Sequence, residues 1–208
     1  MNNKENMQAV ALDLFSKRGY SGVSVRDICG ELGLKESALY YHFKNKEELL
    51  NSLYAKVDQL VEDMRNAFDN AFQMTTQVST PAMQMVARNF LRQYFCDAYV
   101  CKLISMLNIE RMSDALADRM YLKLVYDMPL SQCLAVFSAM QKRKLVADIS
   151  PDYLAKDYLS LILHVFDRYV LGKEDKQTQI EAACEELDNL IEIFYERIAR
   201  EGTKHADL

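Results

Sequence analysis

Ser37, Tyr40, Tyr41 and His42 fall on one short stretch of this 208-residue sequence, with Arg26, Lys35, Lys44 and Lys46 close by. Hydroxyls, phenols, an imidazole and cations in that density suit hydrogen bonding to phosphates and base edges. Bond-breaking chemistry has little to draw on. The histidines are His42, His164 and His205, and there is no Gly-rich phosphate loop, GxSxG, HExxH or paired His/Cys spacing. No catalytic residue, metal ligand or cofactor is therefore expected. His164 sits in an apolar helix and reads as a satisfied structural histidine, and Glu110-Arg111 and Asp114 to Asp118 read as solvated helix faces.

These side chains need two short helices and a tight turn to hold them. Ser24 suits a helix N-cap, and Asp27 three residues on completes a capping box. Ile28 and Leu32 give that helix one apolar face, and Gly33 stands where a left-handed residue commonly ends a helix. Leu34 packs under the turn, and Leu39 and Phe43 make the inward face of the next helix. A 100° step per residue then turns Ser37 and Tyr41 outward, flanked by Ala38, Tyr40 and Lys44. The two tyrosines either extend the core of a small helical domain or meet a partner. Asn45-Lys46-Glu47-Glu48 caps a further helix and puts Lys46 in a first turn whose free N–H groups suit a phosphate. Helix, glycine turn, helix is the helix-turn-helix pattern, whose second helix enters the DNA major groove.

The stretches LFSKRGYSGVSVRDIC and GLKESALYYHFKNKEEL resemble the N-terminal signature of the TetR family of bacterial transcription regulators. The resemblance covers about the first quarter of the chain. It implies that Arg26 lies on the second helix close to DNA, that Ala38 and Tyr41 face bases, and that Tyr40, His42 and Lys46 face phosphates; Ser24, Lys35 and Ser37 are the further DNA-binding candidates. Lys35-Glu36-Ser37-Ala38 departs from a family run usually resembling Ser-Lys-Gly-Thr. Lys35 is a weak N-cap, Ala38 lacks a hydroxyl, and Glu36 repels a nearby phosphate. The resemblance also implies a homodimer on a palindromic double-stranded operator and a pocket for a small-molecule inducer.

The net charge of −5 lies wholly after residue 50, because residues 1–50 hold seven Lys/Arg and seven Asp/Glu. The local placement of basic groups, not global charge, therefore decides whether nucleic acid is a partner. Five cysteines without CxxC spacing argue against a disulfide framework or zinc cluster and read mostly as buried small hydrophobes. No run of about 18 apolar residues exists to span a membrane. The N-terminus lacks a secretory core, so a cytoplasmic location is expected.

The whole chain reads as all-α: a three-helix head over residues 1–47, then a long helix leading into a helical ligand-binding and dimerisation domain over residues 48–208. The first helix spans about 3–18, with Val10, Ala11, Leu14 and Phe15 inward. The long helix carries Leu49, Leu53, Val57, Leu60, Met64, Phe68 and Ala71 at 3–4 spacing. Pro129 should bend or break the pattern, giving a new helix to about Arg143. Ser150-Pro151 opens a helix that Gly172 ends. Met64, Phe68, Met85, Phe90 and Tyr94, with Met106, Met120, Tyr126 and Phe137 further on, are either helix core or the wall of a variable apolar pocket. In the last helices, Leu161 and Val165 precede a seam at Leu187, Ile191, Phe194 and Ile198. That seam pairs the two helices within one chain or with their copies in a twofold bundle, the latter being expected. The alternative to a regulator is a helical ligand-binding or protein-interaction module with a weakened DNA head.

Overall fold

The computed structural model describes residues 3–57, 62, 78–173 and 176–199, and all the regular structure among them is helical. We number the helices α1 (Asn3–Arg18), α2 (Val25–Glu31), α3 (Glu36–His42) and α4, helical over 46–57. There follow α5 (Thr80–Phe90), α6 (Ala98–Glu110), α7 (Ala115–Leu122), α8 (Met128–Lys142), α9 (Pro151–Val165) and α10 (Lys176–Ile198). The all-α fold expected from sequence is what forms. Met64, Phe68 and the continuation of α4 past 57 lie outside the described residues, apart from residue 62, which is helical.

Two compact units gather the described residues, one from Met1–Met64 with Ala98–Lys123, the other from Arg65–Asp97 with Leu124–Leu208. Packing thus groups α6 and α7 with the three-helix head. In this unit α1 packs along α6 and against α2 and α3, and α7 packs on α6. Met7, Ala11, Phe15, Ile28, Leu39, Leu49 and Leu53 are fully buried. Val10 and Leu14 are only half-buried, so the inward stripe of α1 is rotated from the expected one toward Met7, Ala11 and Phe15. The cause is α6, a second neighbour that α1's own periodicity could not announce. A salt bridge of 2.7 Å from Lys102 to Asp13 joins the same two helices.

In the other unit α8 packs on α9, and α10 packs on α5 and α9. Phe137, Tyr158 and Phe194 meet at its centre, with ring centroids 5.5–5.9 Å apart. Val165, Leu187, Ile191 and Phe194 are completely buried within one chain, and Ile198 nearly so. The expected intermolecular seam is therefore intramolecular core, because α5, α9 and the π turn after α9 cover it.

Three helices end in π-helical turns: Leu91–Phe95 after α5, Lys123–Asp127 after α7 and Phe166–Val170 after α9. Of the bend or break expected at Pro129, no full break occurs, and the new helix α8 ends at Lys142. Asp127, just before α8, keeps helical angles and the π turn runs directly into α8. Pro129 has no N–H to donate back in that register, and the Leu124 carbonyl five residues earlier instead accepts from the Tyr94 hydroxyl at 2.7 Å. Gly172 (φ 72°) closes the last π turn.

Candidate nucleic-acid interface

The turn between α2 and α3 is built by local rules. Asp27 N–H donates to Ser24 Oγ (3.1 Å) and Ser24 N–H to Asp27 Oδ2 (2.7 Å), closing the capping box. Those bonds from Ser24 hold the Asp27 carboxyl below its usual range, with Arg18 adding to the effect. At the other end Gly33 takes φ 64°. Leu34 N–H donates to Cys29 O (2.9 Å) and Gly33 N–H to Gly30 O (3.1 Å), the double bond of a Schellman motif. α3 starts without a side-chain cap at Lys35, as its residue type implied.

The turn exposes most of the side chains that helix geometry turned outward. Leu39 and Phe43 are buried, while Tyr41 is 85% exposed and Tyr40 53%. Arg26, Lys35, Ser37 and Lys44 are exposed, Ser24 is exposed at its cap, and Ala38 and His42 are half-buried. The His42 ring stands edge-on to Tyr41, centroids 5.0 Å apart. Asn45 Oδ1 accepts from Glu48 N–H at 2.8 Å, capping α4 as expected.

Lys46 is a correction. Its ammonium is not free for a phosphate: it donates to the carbonyls of Tyr20 (2.9 Å) and Val23 (2.8 Å) and lies 4.0 Å from the Tyr20 ring centroid. Burial lowers its pKa, and the charge of Glu110 opposes that shift. Glu110 is a second correction, because it is buried rather than solvated. Ser21 donates its N–H to Glu110 Oε1 (3.0 Å) and its hydroxyl to Oε2 (2.7 Å). Gly19 is what lets α6 approach so closely: a Cβ there would lie 2.3 Å from Glu110 Oε1. Glu110 and Lys46 together hold the α1–α2 loop, and through it the start of α2, from two sides. A signal for Glu110 was present, since Leu103, Met106, Leu107 and Glu110 share one buried helical face.

The other expected site residues scatter. Phe90 and Phe137 line a cavity of about 30 Å³ together with Met83, Val86, Gln132, Cys133, Val136 and Tyr158. Tyr94 is core, its hydroxyl occupied by Leu124. Met85 and Tyr126 are corrections, 53% and 43% exposed. Met85 points away from the Met83, Ala87 and Phe90 face of α5. Met106 is buried and Met120 half-buried in the unit that holds α6 and α7, and neither lines this cavity. Four of the five free cysteines are buried and Cys96 is half-buried. Among the described residues no helix is long and apolar enough to cross a membrane, and no cluster suits a metal.

A sequence profile of bacterial regulatory proteins of the tetR family matches residues 9–53, the segment from mid-α1 into α4. Over this segment the chain is similar to the TetR family. The negative regulator IcaR of the Staphylococcus epidermidis biofilm operon is 46% identical over 39 residues, 19% of this chain and 21% of IcaR. The class D tetracycline repressor of Escherichia coli is 34% identical over 55 residues, 26% of this chain and 25% of that protein. The chain spans about a quarter or less of the length of these curated relatives. Likeness of fold extends further. A TetR-family regulator from Mesorhizobium loti superposes with a TM-score of 0.71 at 17% identity, over 95% of this chain and 96% of that one. A transcriptional regulator from Saccharomonospora viridis, solved in complex with choline, gives 0.68 at 19% identity, over 95% and 98%. The TetR-family head is thus matched in sequence, and the remainder in fold.

Proposed function

We propose that this TetR-family chain is a homodimeric transcription regulator that binds a palindromic operator in double-stranded DNA and releases it when a small molecule enters the helical body. The observation that carries this is the α3 surface: Tyr41, 85% exposed, stands beside Ser37 and Tyr40 on a helix whose entry and exit are fixed by backbone bonds. An aromatic phenol so exposed, on the second helix of a helix-turn-helix, is placed for base edges, while Arg26, Lys35 and Lys44 supply charge for phosphates. The named relatives IcaR and the tetracycline repressor are negative regulators, which favours repression. Two DNA half-sites require two heads, so a dimer is part of the proposal.

The dimer face follows from what the fold leaves open. Leu161 of α9 and Leu190 of α10 are half-buried, and Ile193 is 60% exposed. They lie on helices joined by an Arg197–Asp157 pair at 3.0 Å and a His164–Glu186 pair at 3.2 Å. We assign the twofold contact to this outward face, with the buried seam behind it. The cavity lined by Phe90 and Phe137 is the proposed effector site, and the choline complex of the S. viridis regulator supports the capacity of the fold to admit a small molecule. A soluble, cytoplasmic protein is the setting this function needs.

Three observations favour the weaker-head alternative: α3 has no side-chain cap, Glu36 lies in its first turn, and Lys46 is occupied inside the fold. Selecting bound fragments from a genomic DNA pool separates the two. Recovery of a palindrome, bound in a strongly salt-dependent way, is expected for the regulator. Tyr41→Ala should then change which sequences are preferred. Loss of affinity that is uniform across all sites would remove Tyr41 from base reading, and failure to enrich any site would favour the ligand-binding module.

A further inference from the structure

The acid at the start of α3 bears on which base pair the head reads. Several acids of the head are engaged within it. Asp13 pairs with Lys17 and Lys102, Asp27 closes the capping box on Ser24, and the Glu48 carboxylate accepts from the Lys44 N–H. Glu36 differs from these: it is exposed and enters no hydrogen bond or ion pair among the described residues. A helix turns about 100° per residue, so Glu36 and Tyr40 lie about 40° apart on α3, as do Ser37 and Tyr41, and all four share about 140° of its surface. Each of the four is exposed, while Leu39 on the opposite side is fully buried. The face that carries Tyr41 therefore carries a carboxylate with it.

That carboxylate narrows the choice of partner. A carboxylate only accepts hydrogen bonds, and a phosphate repels it. Guanine shows it O6 and N7 and thymine shows it O4, all acceptors. The donors in the major groove are the N4 amino group of cytosine and the N6 amino group of adenine. Adenine sets its amino group beside N7, a further acceptor, whereas the neighbour of the cytosine amino group on the open side of the groove is a C–H. Glu36 is the first residue of α3, and the N-terminal residues of such a helix are the ones that meet base edges. Arg26, Lys35 and Lys44, all exposed, supply the attraction to phosphates that Glu36 lacks.

We propose that Glu36 is a specificity-determining residue: it accepts from the N4 amino group of a cytosine, so each operator half-site carries a C·G pair opposite it. This rests on the operator-binding reading above, and the test separates the two. Full-length parent and Glu36→Ala are each used to select duplexes from a randomised pool. The parent motif should contain one cytosine per half-site that the Glu36→Ala motif lacks, with the other positions kept. In the parent's selected duplex that cytosine is then replaced by pyrimidin-2-one, which is cytosine without its amino group. The replacement should weaken the parent roughly tenfold more than it weakens Glu36→Ala, the worth of one base-edge contact. Glu36→Ala also controls for the base-pairing bond that pyrimidin-2-one loses. An unchanged motif in Glu36→Ala, even with tighter binding to every sequence, would mean that the carboxylate only repels the backbone, and would overturn the proposal. A Glu36-dependent preference for another base, or equal losses on pyrimidin-2-one in the two proteins, would overturn it too. Enrichment of no sequence by the parent removes the operator reading and this assignment together, whereas a palindrome whose motif ignores Glu36 removes the assignment alone.

Discussion

Lys46 and Glu110 show what a side chain's identity conceals. In sequence Lys46 reads as a phosphate contact and Glu110 as part of a solvated helix face. Their actual partners, the carbonyls of Tyr20 and Val23 and the N–H and hydroxyl of Ser21, lie 23 to 89 positions away. Backbone carbonyls leave no mark in a sequence, so the Lys46 pairing was not legible. Glu110 was closer to legible, standing on the same stripe as Leu103 and Met106, where an acid is out of place unless something pairs it. Lys46→Ala should therefore behave as a stability variant. Losing two charge-assisted bonds to half-buried carbonyls should cost about 1–3 kcal/mol, read by thermal or urea unfolding. The slope of log K for DNA against log salt should stay as in the parent. Lys44→Ala, whose side chain is exposed, should show the converse: parental stability and a slope flatter by about one. If Lys46→Ala also flattens the slope, its ammonium reaches DNA in the complex.

At the scale of elements, the reading head was almost wholly legible because its signals are local. Ser24, Asp27, Gly33 and Leu34 each act within five residues, and the structure uses each as its chemistry suggests. The π turns were not legible, since each adds one residue to a helix without a glycine or proline inside it. The seam on α10 was legible as apolar spacing, but a 4–3 repeat looks the same whether its partner is in the same chain or another. Two glycines separate a local demand from a tertiary one. Gly19 and Gly33 both have positive φ, 73° and 64°. At Gly33 a Cβ meets nothing within 4 Å, so Gly33→Ala should cost only the left-handed strain, about 1–2 kcal/mol. At Gly19 the same strain is joined by the 2.3 Å clash with Glu110 Oε1. Gly19→Ala should thus lose the Ser21–Glu110 bonds as well and melt well below Gly33→Ala. Equal melting temperatures would mean that Glu110 moves aside freely and does not hold the loop.

For the whole molecule, the proposed function requires two copies and two communicating sites, and each requirement can be tested by a pair of measurements. Ile191 is fully buried and Ile193 is 60% exposed, two positions apart on α10. Ile191→Glu should unfold the helical body, since it puts an unpaired charge into the core. Ile193→Glu should fold normally yet sediment as a monomer and lose operator affinity. A folded Ile193→Glu dimer would move the twofold contact to another face. Communication obeys linkage: a ligand shifts DNA binding only by its differential affinity for the DNA-competent and released states. An effector that weakens operator binding tenfold must itself bind tenfold more weakly to the DNA-bound dimer, a coupling of about 1.4 kcal/mol. Phe90 lines the cavity and is nearly buried. Phe90→Trp should occupy the free space and blunt the ligand response while leaving ligand-free operator affinity nearly intact. Calorimetric titration of a cavity ligand with and without saturating operator decides the matter. A tenfold difference there, matched by a tenfold difference in DNA affinity with and without ligand, is the result expected of a coupled regulator. Equal ligand affinities would mean that the cavity fills without informing the head, because no route of communication can evade that reciprocity.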